Sequence, residues 1–126
     1  MELIIGGAFQ GKLRYARELH PDVVWVDGKA CTLDEMCKIP GIYNFHLFIK
    51  KQMMEGKNIL NLADMLLEKN PNMILISDEV GYGVVPVDAF DRDYRESVGR
   101  VCTQLAAKCS KVTRVVCGIG TVMKGE

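Results

Sequence analysis

The chain carries no excess of charge of either sign, with 16 Lys and Arg set against 16 Asp and Glu in 126 residues. No net field therefore favours nucleic acid or an acidic membrane surface as a partner. Long hydrophobic runs are also missing. The apolar segments fall far short of the ~20 residues that cross a bilayer, and Glu2 and the first glycines interrupt any leader-like start, so neither a membrane span nor a signal segment is expected. Histidine is scarce, with only His20 and His46. The five cysteines (Cys31, Cys37, Cys102, Cys109, Cys117) are odd in number and lie in no metal-ligand spacing. They read as free, mostly buried thiols in a reducing cytoplasm. No internal repeat, linker or low-complexity segment divides the chain, and with 48% hydrophobic and 25% charged residues the span 1–126 reads as one domain.

What is present is an alternation of short apolar runs with amphipathic stretches. Leu3 to Ile5 reads as a buried strand stopped by Gly6 and Gly7. Lys12 to His20 follows as a short helix with Leu13, Ala16 and Leu19 inward. Val23 to Val26 is a second strand, closed by the Asp27-Gly28 turn signal. Lys29 to Gly41 reads as loop with one helical turn. From Ile42 to Gly56 apolar residues recur at helical spacing (Ile42, Phe45, Ile49, Met53), and Ile59 to Glu68 is a further helix with Asn58 as its cap. Met73 to Ser77 is a third strand. A long helix from Asp88 to Cys109 follows, with Asp88 as N-cap, then a fourth strand from Val112 to Cys117 and a short glycine-containing tail. This order predicts an α/β fold, a small P-loop-like parallel sheet of about four to five strands with helices on both faces.

Two stretches carry chemistry. Gly6-Gly7-Ala8-Phe9-Gln10-Gly11-Lys12 has phosphate-loop spacing between a strand and a helix. Backbone N–H groups and the helix N-terminus would cradle phosphates there, and Lys12 would reach the β- and γ-phosphates. The next position should be a hydroxyl that ligates Mg²⁺, and here it is Leu13. Taken alone, such a loop could equally be a tight strand-to-helix turn. The second stretch is the end of the third strand, where Asp78 and Glu79 are placed as an acid pair that holds Mg²⁺ or positions a nucleophile. The alternative is that Asp78 caps a turn and Glu79 pairs with an arginine of the following helix. Gly81 and Gly83 flank Tyr82 in a loop able to close over a base or sugar. Arg92, Arg95 and Arg100 share one helix flank and either face phosphates or form a solvated charged face. Gly99, unfavourable within a helix, predicts close packing against another backbone.

In the glycine loop (Gly6, Gly7, Gly11, Lys12), in Glu79-Val80-Gly81-x-Gly83-x-Val85-Pro86, and in Arg95, Gly99, Arg100, Leu105 and Ala106, the chain resembles the adenosylcobinamide kinase/adenosylcobinamide-phosphate guanylyltransferase family of cobalamin biosynthesis. The resemblance implies ATP or GTP as substrate, Mg²⁺ as cofactor and adenosylcobinamide as a corrinoid partner. It places nucleotide contacts at Gly6 to Leu13, Gly81, Tyr82, Gly83 and Arg95, and catalytic roles at Lys12 and Glu79. Where the family has Asn, this chain has Asp78, an expected metal ligand replacing the missing hydroxyl. The family's guanylylated histidine follows a D-E-M segment matched by Asp34-Glu35-Met36, but Pro40-Gly41 interrupts. His46 is then either a displaced acceptor or a packing residue. The family also ends an extra central strand on aspartate, and no counterpart is found between Gly56 and Asn72, which leaves Asp27 as a substitute acid or a turn residue. The expected function is phosphoryl or guanylyl transfer to adenosylcobinamide or its phosphate. The alternatives are a catalytically degenerate nucleotide- or corrinoid-binding subunit and a purely structural one. The apolar helix bearing Phe45, Leu47, Phe48, Met53 and Met54 predicts a homo-oligomer interface.

Overall fold

The computed structural model describes residues 1–80 and 88–125. Its strands are β1 (Glu2–Gly6), β2 (Trp25–Asp27), β3 (Gly41–Tyr43), β4 (Ile74–Asp78), β5 (Lys111–Val116) and β6 (Ile119–Lys124). Its helices are α1 (Lys12–Leu19), α2 (Leu33–Met36), α3 (Phe45–Met54), α4 (Leu62–Lys69) and α5 (Ala89–Lys108). The strands form one sheet in the order β2-β3-β4-β1-β5-β6. The first five run parallel, and β6 returns antiparallel against β5.

Side chains alternate across the sheet and define two layers. Leu3, Leu75 and Val112 point to one face, where Phe45, Phe48 and Ile49 of α3, Leu62 and Leu66 of α4, and Tyr94, Val98 and Leu105 of α5 cover them. Ile4, Ile74, Ile76 and Val115 point to the other, against Ala16 of α1. Helices on both faces of a parallel sheet are therefore what the alternating pattern predicted. Since β1 lies between β4 and β5, the carboxyl ends of its neighbours converge on the β1–α1 loop. That is the crevice where open α/β sheets hold ligands.

The sheet has more strands than expected, for two reasons. Gly41–Tyr43 is a strand rather than the start of a helix, because Ile42 is buried between β2 and β4, and periodicity cannot separate so short an apolar run from the helix that follows it. The expected tail is instead β6. Cys117 (φ 51) and Gly118 (φ 76) both adopt left-handed conformations, the requirement of a tight two-residue hairpin turn. Smaller shifts have local causes. Leu19 is exposed and Lys12 is buried in its stead. Asn58 accepts from the Leu60 amide (2.9 Å) in a turn that precedes α4 rather than capping it. Asp88 caps α5 as expected, accepting from the Phe90 amide at 2.7 Å.

The apolar breadth of α3 also has an internal explanation. Phe45 and Phe48 are fully buried, with their rings stacked at 6.3 Å, because α3 is covered by both β4 and α5. Of the residues expected at an oligomer interface, only Met54 is largely exposed. No helix among the described residues is long and apolar enough to cross a membrane.

Candidate functional site at the carboxyl edge of the sheet

The loop from Gly6 to Gly11 is shaped by what presses on it. A side chain at Gly6 would meet the Val115 carbonyl of β5. Gly11 turns the chain into α1 with φ 83, where other residues are strained. No side chain caps α1 and no acid lies in its first turn, so its free N–H groups leave a positive end turned toward the loop. The β5–β6 turn braces the loop from outside. The Cys117 amide donates to Gln10 Oε1 (2.7 Å) and the Gly118 amide to the Gln10 carbonyl (2.8 Å). Among the described residues, the non-glycines with positive φ are Phe9, Asn44 and Cys117. All three lie at or beside this loop, and clustered backbone strain of this kind is a pointer to function.

Lys12 is the centre of the arrangement. Its side chain is only 8% exposed, and Nζ lies 2.7 Å from the Gly7 carbonyl oxygen and 2.7 Å from Asp78 Oδ1. The sheet makes this pair, because β1 and β4 are in register with Gly6 opposite Asp78. His46, from the first turn of α3, completes the group. Its Nδ1 accepts from the Asp78 amide at 3.0 Å, which places the ring proton on Nε2, 3.3 Å from Asp78 Oδ2. Burial pushes the His46 pKa below its ordinary value, with Asp78 opposing and Lys12 adding to the effect. His46 is therefore neutral near pH 7, with its Nδ1 lone pair engaged. A cavity of about 420 Å³ opens over these groups, walled by the loop, Tyr43, Asn44, His46 and Asp78. A second, of about 440 Å³, lies on the other flank of the loop beside Arg14, Tyr15 and the Cys117-Gly118 turn.

The depressed His46 pKa has a signed consequence. Below the ordinary value of 6.5 the unfolded chain takes up a proton that the folded chain resists, so His46 contributes stability above that pH and the contribution is lost as pH falls through the window below it. Thermal midpoints of wild type are expected to fall between pH 7 and 5 more steeply than those of His46→Gln. Parallel slopes would contradict this environment for His46.

The other expected site residues lie elsewhere. Glu79 does not face Lys12. It makes a two-point pair with Arg114 of β5, Nε to Oε1 at 3.0 Å and Nη2 to Oε2 at 3.1 Å, so its partner is a strand arginine rather than one from the following helix. Arg95 is on α5, across the sheet from α1. Arg100 pairs with Glu96 on the solvated face (3.2 Å). Gly81, Tyr82 and Gly83 lie outside the described residues. Asp27 serves its turn, with Oδ1 accepting from the Lys29 amide (2.9 Å) and from Asn44 Nδ2 (3.1 Å). Leu13 lines the cavity and supplies no hydroxyl. Among the described residues no three His, Cys, Asp or Glu side chains cluster as a metal site. Burial raises the thiol pKa of Cys31, Cys102 and Cys109, in keeping with inert thiols.

The sequence reading missed Tyr43, Asn44 and Arg114. No strand forms between Gly56 and Asn72, where no counterpart of the family's extra central strand was found, but an unexpected strand lies earlier. It is β3, beside β4, and it runs directly into Asn44, the residue before α3. The signal was present in Gly-Ile-Tyr-Asn, an apolar run ending on a polar residue as β4 does.

The sequence profile described as cobinamide kinase / cobinamide phosphate guanyltransferase matches residues 41–123, beginning on the first residue of β3. The chain belongs to this family. The bifunctional adenosylcobalamin biosynthesis protein CobP of Pseudomonas aeruginosa is 37% identical over 90 residues, 71% of this chain and 51% of that protein. The protein of that description called CobU in Escherichia coli is 44% identical over 52 residues, and its Salmonella typhimurium counterpart 42% over 52. Each match covers 41% of this chain and 29% of the relative. This family member thus spans about half the length of the Pseudomonas relative it matches. The family profile match leaves out residues 1–40, so the phosphate reading of the glycine loop stands on its own geometry.

Proposed function

We propose that this chain acts in cobalamin biosynthesis, binding ATP or GTP on the Gly6–Lys12 loop and transferring a phosphoryl or guanylyl group to adenosylcobinamide or its phosphate. The observation that carries the reading is Lys12. A nearly buried ammonium, held at the mouth of a glycine loop by the acid that ends the neighbouring strand, is costly to keep and is the group that takes a phosphate charge in such loops. In the kinase step the acceptor hydroxyl oxygen attacks Pγ, the bond from Pγ to the bridging oxygen of ADP breaks, and the hydroxyl proton passes to water. In the guanylyl step an acceptor phosphate oxygen attacks Pα of GTP and pyrophosphate leaves. Lys12 and the N-terminus of α1 neutralise charge that builds on the phosphates, so the protein's part is positioning and electrostatics.

Mg²⁺ takes one or two carboxylates together with phosphate oxygens and waters. Asp78 is the one carboxylate walling the Lys12 cavity among the described residues, and it fits that role. It would hold the ion, which neutralises phosphate charge when bound. Leu13 favours a second reading, in which the chain binds nucleotide or corrinoid as a regulatory subunit without turnover. Incubation with ATP labelled at Pγ, or GTP labelled at Pα, together with adenosylcobinamide or its phosphate, separates the two. Label in the corrinoid is the expected result, and bound nucleotide without transfer would leave the subunit reading. A cytoplasmic site of action accords with the chemistry. A homo-oligomer would use surfaces other than Phe45 and Phe48, and the exposed Val116, Ile119, Val122 and Met123 of the β5–β6 hairpin are among the apolar groups available for it.

A further inference from the structure

From the geometry on the α5 side of the sheet we infer that the cavity between β1, β4 and α5 seats the hydroxyl-bearing arm of the acceptor, an inference that rests on the transfer reading above. This cavity, of about 280 Å³, is separate from the Lys12 cavity, but Asp78 walls both. A ligand seated in it therefore ends at the residue that contacts Lys12, where the phosphate to be transferred would lie.

Gly99 is the second observation. It stands in the middle of the 20-residue α5, where glycine costs about 0.8–1.0 kcal/mol relative to alanine. The sequence pattern predicted that close packing repays that cost. Among the described residues nothing lies within 4 Å of a side chain added there, and Gly99 walls the cavity.

The lining states what that group is. Ile5, Val80 and Val98 make apolar walls. Cys102 is a neutral thiol at pH 7, its pKa pushed up to about 11 by burial. Among the described residues no lysine or arginine lines the cavity, and the nearby Arg114 is already paired with both Glu79 oxygens. The lining therefore suits the free hydroxyl of the kinase-step acceptor rather than the phosphate of the guanylyl-step acceptor. Among the described residues the remaining polar side-chain atoms are acceptors: the Asp78 carboxylate, the outer lone pairs of Glu79, and the Thr103 hydroxyl oxygen, whose proton goes to the Gly99 carbonyl (2.7 Å). Such a lining suits a short, uncharged aliphatic arm that donates a hydroxyl. At ~30 Å³ per water the volume equals roughly nine waters, enough for an arm and too small for a macrocycle, which would stay outside.

The test is calorimetric titration with adenosylcobinamide, with and without ATP, on wild type, Gly99→Leu and Gly99→Ala. Gly99→Leu is expected to weaken corrinoid binding at least tenfold while ATP affinity stays within twofold. Gly99→Ala should raise the thermal midpoint and fall between the two in corrinoid affinity. Unchanged corrinoid binding in Gly99→Leu, or no corrinoid binding by wild type, overturns the assignment, as does an equal loss of ATP affinity in Gly99→Leu. Absence of ATP binding by wild type sinks the nucleotide reading by itself, and the corrinoid titrations alone decide the cavity.

Discussion

Asp78→Asn is expected to melt well below wild type and yet to bind Mg²⁺-free nucleotide more tightly. The variant keeps the backbone amide that donates to His46 Nδ1 but removes the negative charge 2.7 Å from Lys12. Stripping the partner from a buried ion pair costs 3–5 kcal/mol when both groups are dry. Asp78 is 24% exposed, and solvent screening brings the expected cost to about 2–3 kcal/mol, roughly 10 °C in a domain of this size. Ligand affinity moves the other way, because in wild type an incoming phosphate must displace Asp78 from Lys12 and then sit beside its charge. Relief of that competition is expected to tighten Mg²⁺-free binding about tenfold, or ~1.4 kcal/mol. With the carboxylate gone, Mg²⁺ should no longer improve affinity. Melting curves and titrations with and without Mg²⁺ check both halves. A variant that melts with wild type and keeps its Mg²⁺ dependence would show that the pair does not govern the site.

Phe45→Ala is expected to cost about 3–5 kcal/mol of folding stability, the range for emptying a buried aromatic site. Phe45 has no exposed surface and stacks on Phe48. It is also the first residue of α3, directly after Asn44 and before His46. A loss of that size consumes a large share of the 5–15 kcal/mol that holds an ordinary domain together. The effect should extend beyond stability, since Asn44 and His46 wall the Lys12 cavity and both are positioned by the start of α3. Urea unfolding gives the number, as a lower midpoint at unchanged slope. A cost under ~1 kcal/mol would place Phe45 on the surface and restore the interface reading of α3.

The parts of the fold that could be read from residues are those whose signal is local. Leu3 to Ile5 and Ile74 to Ser77 are apolar runs flanked by glycine or acid, and Asp88 announces α5. β3 was hidden because three residues, Gly-Ile-Tyr, blend into the periodicity of the helix behind them. β6 was hidden because its exposed residues show no burial alternation to detect. In the site, the glycine loop and Lys12 were legible from spacing, and so was the acid at the end of β4. Their mutual geometry was not. The Asp78–His46 contact joins residues 32 apart and Arg114–Glu79 joins residues 35 apart. Both depend on the order β3-β4-β1-β5, which is set by parallel crossovers that no pattern along the chain encodes. Gly99 stood out as an unfavourable residue in a helix, but that it walls a cavity with Ile5 and Asp78 could be seen only in the fold.

The central claim is that Lys12 on the Gly6–Gly11 loop binds nucleotide phosphate, and titration calorimetry of wild type and Lys12→Ala with ATP and with GTP tests it most directly. Removing the ammonium takes away a charge-assisted contact in a nearly buried position and leaves Asp78 facing the phosphates, so the variant should bind at least ~100-fold more weakly than wild type. The account predicts micromolar binding by wild type to at least one of the two nucleotides, lost in Lys12→Ala. Binding of equal strength in both proteins, or no binding by wild type to either nucleotide, would contradict it.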